Sequence, residues 1–240
     1  AGQPRQVINP EVTFTLDRAD LSKAADPLTA ARQRAGALAS RPFALEKPPL
    51  LRAGYFALGD GTAVFALAMH HIVIDGWSVP LFFEALWRAY EGETLPSPNL
   101  HFADYASVAA TRLGSGMEVD RAFWHAALMP PAPHLELPCD FVRDQTASKH
   151  AGWVSREVSG EALRQARAFA AARNITLFQL FLSALQVVLA RITGQSDISM
   201  AVIVSGRDLP ETATMLGLFA NTVIIRQTVR SADTVETHLG

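Results

Sequence analysis

An α/β fold is predicted for this chain, and three observations predict it. Short strand-like apolar runs alternate with helix-patterned segments along the sequence. The 240 residues are 49% apolar and 18% charged, the balance of a globular chain able to bury a sizeable core. A proline-rich stretch at residues 129–144, with Pro130, Pro131, Pro133 and Pro138, separates two such alternating halves.

The elements follow in order. Residues 12–16 alternate apolar side chains with threonine and read as a strand. Asp26-Pro27 supplies a cap acceptor followed by proline at the first helical position, so a helix runs to residue 39, and Arg41-Pro42-Phe43 stops it. Residues 50–58 and 63–69 are apolar runs joined by Gly59-Asp60-Gly61-Thr62, a hairpin pattern. Residues 77–90 form a strongly apolar helix that is expected to be well buried, with Glu84 and Arg88 spaced to pair. Residues 92–99 are a linker, and two helices are expected at 102–113 and 118–128. Beyond the proline-rich stretch come a strand at 152–158 and an amphipathic helix at 160–173. A longer helix at 176–192 opens on a Thr176/Gln179 capping box and closes near Gly194. A buried strand is expected at 198–204 and another strand at 222–229.

Composition narrows the function classes. A net charge of −2 gives no global pull toward nucleic acid or an anionic membrane. No apolar run reaches the length of a membrane span, and no basic-then-apolar leader is present. The single cysteine, Cys139, lies in Leu137-Pro138-Cys139-Asp140 and reads as a linker residue rather than a nucleophile. Asn174-Ile175-Thr176 matches a glycosylation acceptor, which without a secretion signal is accidental. The expected compartment is the cytoplasm.

Residues 69–78, Met-His-His-Ile-Val-Ile-Asp-Gly-Trp-Ser, concentrate the chemistry. They place His70, His71, Asp75 and Gly76 at the end of a strand. Three readings compete. Metal binding would suit a His-rich cluster with a carboxylate, but adjacent side chains on an extended segment point to opposite faces, and no second ligand cluster appears. In a packing reading the histidines are satisfied core residues and Asp75 caps the next helix. In a catalytic reading one histidine faces a cleft and accepts a proton or hydrogen bond from a nucleophile. Asp75 then pairs with an arginine. Arg207, in Ser205-Gly206-Arg207-Asp208 after an apolar strand, is the best partner, although the same pattern fits a solvated loop arginine. A paired Asp75 and Arg207 would neutralise one another and leave the histidine uncharged.

The segment resembles the HHxxxDG motif of the chloramphenicol acetyltransferase-like (CAT-like) superfamily. Asp75-Gly76-Trp77-Ser78 is similar to the form found in condensation domains of nonribosomal peptide synthetases. Further likenesses occur in the family's order. Phe102-Ala103-Asp104-Tyr105 is similar to YxDFAxW, and Trp124 with Leu135-Glu136-Leu137-Pro138 to the inter-subdomain linker. Thr176-Leu177-Phe178-Gln179 opens a helix like the family's. Gly194-Gln195-Ser196-Asp197-Ile198 resembles GQxDI, and residues 216–222 resemble IGxFVNT with Ala220 in place of valine. The family's opening SxAQ-type and RHExLR-type motifs and its closing HHxPFE-like and RDxSRNP-like motifs are absent. The expectation is therefore the central portion of a condensation domain, truncated at both ends.

The resemblance implies two CAT-like subdomains in a V: residues 1–138 carrying the histidine motif, and residues 139–240. It implies an acyltransferase that joins a donor acyl or peptidyl thioester to an acceptor aminoacyl thioester through an amide. His71 would be the catalytic histidine. His70, Asp75, Gly76 and Arg207 would build the active site, and Trp77, Ser78 and Asn221 would lie at the interface or channel. No metal and no directly bound cofactor is expected, because phosphopantetheine arms belong to the partners. Those partners are the donor and acceptor peptidyl carrier domains and a neighbouring adenylation domain, with no nucleic acid and no membrane. The competing functions are a stand-alone CAT-like acyltransferase making an ester or amide, and a non-catalytic recruitment domain.

Overall fold

The computed structural model describes residues 5–141, 152 and 154–239. By packing, the chain divides into two compact units, residues 1–115 with 204–221 and residues 116–203 with 222–240. This division exchanges a segment between the halves, whereas the expectation from sequence was a single cut after residue 138.

In the first unit, β1 (Leu16–Asp20), β2 (Leu51–Ala57) and β3 (Ala63–Met69) form a sheet in that order. β1 runs parallel to β2, with Leu16 opposite Ala53 and Asp20 opposite Ala57. β2 and β3 are an antiparallel hairpin in which Leu51 faces Met69 and Ala57 faces Ala63. The hairpin loop closes through Leu58 N–H to Thr62 O at 3.0 Å and Thr62 N–H to Asp60 Oδ1 at 2.9 Å. α1 (Pro27–Ser40) begins where expected, with Asp26 Oδ1 accepting from Thr29 N at 3.0 Å. It packs on β2 and β3, and Ala31, Ala53 and Phe56 are buried.

Three expectations for this unit are corrected. The first strand is Leu16–Asp20 rather than 12–16, and Val12 and Phe14 are exposed, because a strand's extent is set by its ladder partner and not by alternation alone. α2 (Ser78–Tyr90) is not well buried: only Ser78 is enclosed, while Trp87 is 63% and Tyr90 80% exposed. Arg88 bonds Glu93, not Glu84, with Nε to Oε2 at 2.8 Å, since the chain turns after Tyr90 and brings Glu93 within reach.

α3 (Phe102–Leu128) is one helix where two were expected. Gly114-Ser115-Gly116 runs through it, since glycine in a helix costs about 1 kcal/mol but imposes no steric stop. The division between the units falls between Ser115 and Gly116.

The second unit contains α4 (Gly160–Ala172), α5 (Leu177–Thr193), β4 (Asp197–Val204) up to residue 203, β5 (Asn221–Thr228) from residue 222 and α6 (Val235–Leu239). The capping box forms: Thr176 Oγ1 accepts from Gln179 N at 3.1 Å, and Gln179 Oε1 from Thr176 N at 2.8 Å. β4 pairs with β5, and Ile198 and Val202 are buried. β4 is not buried throughout: Ile203, on the face opposite Val202, is 75% exposed, and Val204 at the strand end is exposed as well. Residues 154–158 are irregular rather than strand, Val154 being fully solvated, while residue 153 lies outside the described residues.

Two side chains anchor the segment after α3. Arg226 grips Asp197 through Nε (2.9 Å) and Nη2 (2.6 Å), and its Nη1 donates to the carbonyls of Leu128 (2.9 Å) and Pro130 (2.7 Å). Gln195 accepts from Glu136 N at 2.8 Å and donates to His134 O at 2.9 Å. Among the described residues no single helix is long and apolar enough to cross a membrane, although the bent pair α4 and α5 would pass by length and composition alone.

Candidate active site

β3 delivers the histidines. His70 N–H donates to Leu50 O at 3.0 Å, which continues the hairpin ladder one step and fixes the strand end. The chain then tightens into a 3-10 turn, His71–Val73. His70 caps it, its Nδ1 accepting from Ile72 N at 3.1 Å. The ring of Phe43 meets His70 edge-on, centroids 5.9 Å apart at 86°. His70 is therefore half-buried and committed to the local structure, whereas His71 is exposed on the turn.

Asp75, four residues on, is only 2% exposed. Its Oδ1 accepts from Ser78 N at 2.8 Å, an N-terminal helix bond to α2. Its Oδ2 accepts from Phe219 N (3.0 Å) and Ala220 N (3.3 Å), and its own N–H donates to Gly217 O at 3.1 Å. Arg207 Nη2 stands 3.2 Å from Oδ1 and 3.4 Å from Oδ2. Burial pushes the Asp75 carboxyl upward, but hydrogen bonds from Ser78, Phe219 N–H and Arg207 outweigh it and hold the group at about 2.

Arg207 is equally enclosed, its side chain 3% exposed. It donates to Ser78 Oγ at 2.7 Å, to Met215 O at 2.9 Å and to Thr212 O. Its guanidinium lies 4.0 Å from the centre of the Phe219 ring. One planar cation thus gathers the 3-10 turn Pro210–Thr214, the 215–219 segment and the start of α2. Phe219 is held from the other side by Phe102 (5.0 Å, 88°) and Tyr105 (4.7 Å), and Tyr105 Oη reaches Gly206 O at 3.4 Å.

Two glycines let these backbones meet. Gly206 has φ 63°, and a Cβ there would fall 2.1 Å from Phe219 O. A Cβ on Gly217 would fall 2.3 Å from the Phe102 ring. At Gly76, by contrast, a Cβ would meet nothing within 4 Å, so this backbone borders open space next to the histidine turn.

A family model for the Condensation domain matches residues 1–239. The chain belongs to the condensation domain family. It is 36% identical to a linear gramicidin synthase of Brevibacillus parabrevis over its whole length, while spanning 3% of that protein. Among solved structures it is similar to the first condensation domain of the CDA synthetase, with TM-score 0.72 and 26% identity, covering 96% of this chain and 52% of that one. It also shares its fold with a four-domain nonribosomal peptide synthetase, with TM-score 0.81 and 24% identity, over 95% of this chain and 17% of the other. The chain thus spans about half of the solved domain and a few per cent of the curated relative.

Within this condensation-domain chain the structure brings Asp75 and Arg207 together, with Gly76, exposed, directly after the buried carboxylate. Trp77 is 53% exposed and tied by Nε1 to Ala213 O at 3.0 Å. Asn221 is exposed at the start of β5. Ser78 is corrected: expected at an interface or channel, it is fully buried, its hydroxyl donating to Gly217 O (3.0 Å) and accepting from Gly217 N (3.1 Å) and Arg207. It is a bolt between α2 and the 217–219 segment, not a wall of open space. The residues missed were those that act through backbone atoms, namely Thr212, Met215, Gly217 and Phe219. The IGxFVNT-like segment marked the last two, but no side-chain pattern shows which peptide N–H will face a carboxylate. Among the described residues no three His, Cys, Asp or Glu gather as metal ligands.

Proposed function

We propose that this chain carries the reaction centre of an amide-forming condensation domain in a nonribosomal peptide synthetase. An acceptor aminoacyl thioester and a donor acyl or peptidyl thioester arrive on phosphopantetheine arms of two peptidyl carrier domains, next to an adenylation domain in the same assembly line. The acceptor nitrogen attacks the donor carbonyl carbon, the C–N bond forms, and the C–S bond breaks with departure of the donor thiolate. His71 takes a hydrogen bond or proton from the attacking amine, and that proton balances the departing thiolate. A thioester is a good acyl donor, so positioning and one proton acceptor suffice, and no covalent enzyme intermediate is needed.

The observation that supports this reading is the asymmetry of the two histidines. His70 spends its Nδ1 on a backbone N–H, while its neighbour His71 projects from a short turn into open surroundings. Asp75 and Arg207 are structural on this reading, since both are enclosed and mutually neutralised. Gly76, Trp77 and Asn221 border the reactants' path. The halves 1–138 and 139–240 correspond to the two CAT-like subdomains, no cofactor is held by the chain itself, and the domain works in the cytoplasm.

The test is His71→Ala in the full-length gene product, with both carriers loaded. Condensation is expected to fall by at least about a hundredfold, in line with the usual worth of one acid–base group, while carrier loading is unchanged. Product formation near the parent rate refutes the assignment.

A further inference from the structure

Arg52 lies on β2, outside the motif, yet its side chain reaches the histidine turn through one intermediate, Phe43. Its Nη1 donates to Leu38 O (3.3 Å) and Arg41 O (2.5 Å), and its Nη2 to Pro42 O (2.6 Å). Leu38 sits in the last turn of α1, and Arg41 and Pro42 follow its end, where helix carbonyls have no intrahelical partner. The same guanidinium lies 3.8 Å from the centre of the Phe43 ring. Phe43 meets His70 edge-on, and His70 caps the turn that presents His71.

We propose that Arg52 and Phe43 form a positioning pair for His71, fixing the ring of His70 and through it the turn His71–Val73. The inference rests on the reading of His71 as the reacting histidine. His70 Nδ1 can accept from Ile72 N only when that nitrogen carries no proton, so a neutral ring has its hydrogen on Nε2. A ring free to rotate would lose that acceptor, release Ile72 N and loosen the turn. The Phe43 edge contact restrains the ring, and Phe43 is itself held under a cation that is tied to three carbonyls. A lysine at 52 cannot reproduce this, because an ammonium lacks both the planar fork and the stacking face.

The experiment has two arms, each read on Arg52→Lys, Phe43→Leu and Phe43→Tyr. In the first, two-bond proton–nitrogen spectra of the full chain, labelled at histidine, report the state of His70 Nδ1. Arg52→Lys and Phe43→Leu are expected to move that resonance from an unprotonated acceptor toward a tautomer mixture, while Phe43→Tyr leaves it in place. In the second, amide formation by the full-length gene product is expected to fall about tenfold in kcat for the first two variants, with KM for the loaded carriers unchanged, since a displaced group costs rate rather than binding. An unmoved His70 resonance in folded Arg52→Lys, or parental kcat in Phe43→Leu, overturns the proposal. Failure of both Arg52→Lys and Phe43→Leu to fold, seen by circular dichroism, also overturns it, because the pair is then a structural prop. Should His71→Ala retain activity, the functional reading fails by itself, and the His70 resonance still decides whether the two residues hold the turn.

Discussion

Two aspartate–arginine pairs, one in each unit, use the same two groups for different ends. Asp197 and Arg226 meet fork to fork at 2.9 and 2.6 Å and keep 27% and 18% of their side-chain surface in solvent. Asp75 and Arg207 meet through one nitrogen at 3.2 and 3.4 Å and are almost wholly enclosed. The better-formed ion pair is therefore the more exposed one. Water already solvates that pair in part, so direct contact gains little beyond geometry. In the enclosed pair each group has lost its water and is served instead by peptide groups, Asp75 by the N–H donors of Ser78, Phe219 and Ala220 and Arg207 by the carbonyls of Thr212 and Met215. Arg207 Nε stays without a partner among the described residues. The mutual attraction is a smaller part of what holds them than the backbone each one organises.

Removing one member of the enclosed pair sharpens the contrast most. Asp75→Ala strands the Arg207 cation and leaves peptide donors of Phe219 and Ala220 without an acceptor, and is expected to cost about 3–5 kcal/mol in urea unfolding. Arg207→Ala is expected to cost a similar amount. In a double-mutant cycle the two losses overlap by roughly 1–3 kcal/mol, because the second deletion removes a group the first has already orphaned. Strict additivity within about 0.5 kcal/mol would show that the two act independently despite their contact.

Acid provides a second separation. Asp75 is held at about 2 against its ordinary 3.8, so its ionised form is favoured by folding. That contribution is complete above pH 3.8, shrinks as the pH falls, and is gone below about 2. The interval corresponds to roughly 2 kcal/mol. Asp75→Asn is expected to flatten the stability profile between about pH 4 and 2, as followed by chemical denaturation at successive pH values. A profile in that window as steep as the parent's would mean that other carboxyls carry the acid response. The carboxyl of Asp197 is also lowered, chiefly by its bonds from Arg226, which adds a response of the same sign.

The pairing of Asp75 with Arg207 was legible in the sequence, but the reason for its strength was not. A carboxylate after a strand and an arginine after another apolar strand are side-chain facts, and a spacing argument reaches them. The groups that satisfy them are peptide groups, N–H donors of Phe219 and Ala220 for Asp75 and carbonyl acceptors of Thr212 and Met215 for Arg207, which carry no residue signature. The same limit explains Ser78, expected at the interface or channel by the family resemblance, whose hydroxyl is locked to the backbone of Gly217. Capping signals did better, because an Asp26 or Thr176 side chain states its own partner three residues ahead. Hydrophobicity misled at α2 and at residues 12–16. It records that a face prefers cover, and in α2 the aromatic residues Phe83, Trp87 and Tyr90 remain exposed. The break expected inside α3 failed for a related reason, since glycine weakens a helix without forbidding it.

The exposed pair yields the smallest effect and the most local one. Asp197→Asn keeps the shape of the side chain and one acceptor oxygen but removes the charge opposite Arg226, and water can replace part of what is lost. The expected cost is about 1 kcal/mol. The consequence falls elsewhere, because Arg226 also donates to Leu128 O and Pro130 O. Once its fork is no longer fixed by Asp197, those two bonds lose their aim, and the chain leaving α3 loses an anchor. Gln195 still holds His134 and Glu136 a few residues on, so the loosening is confined to the stretch between the two clamps. Hydrogen exchange in Asp197→Asn is therefore expected to rise at the last turn of α3 and residues 129–133 and to stay parental at Glu136. Uniformly faster exchange across the second unit would show that the Asp197–Arg226 pair supports the whole unit, and the division of labour between exposed and enclosed pairs would fall.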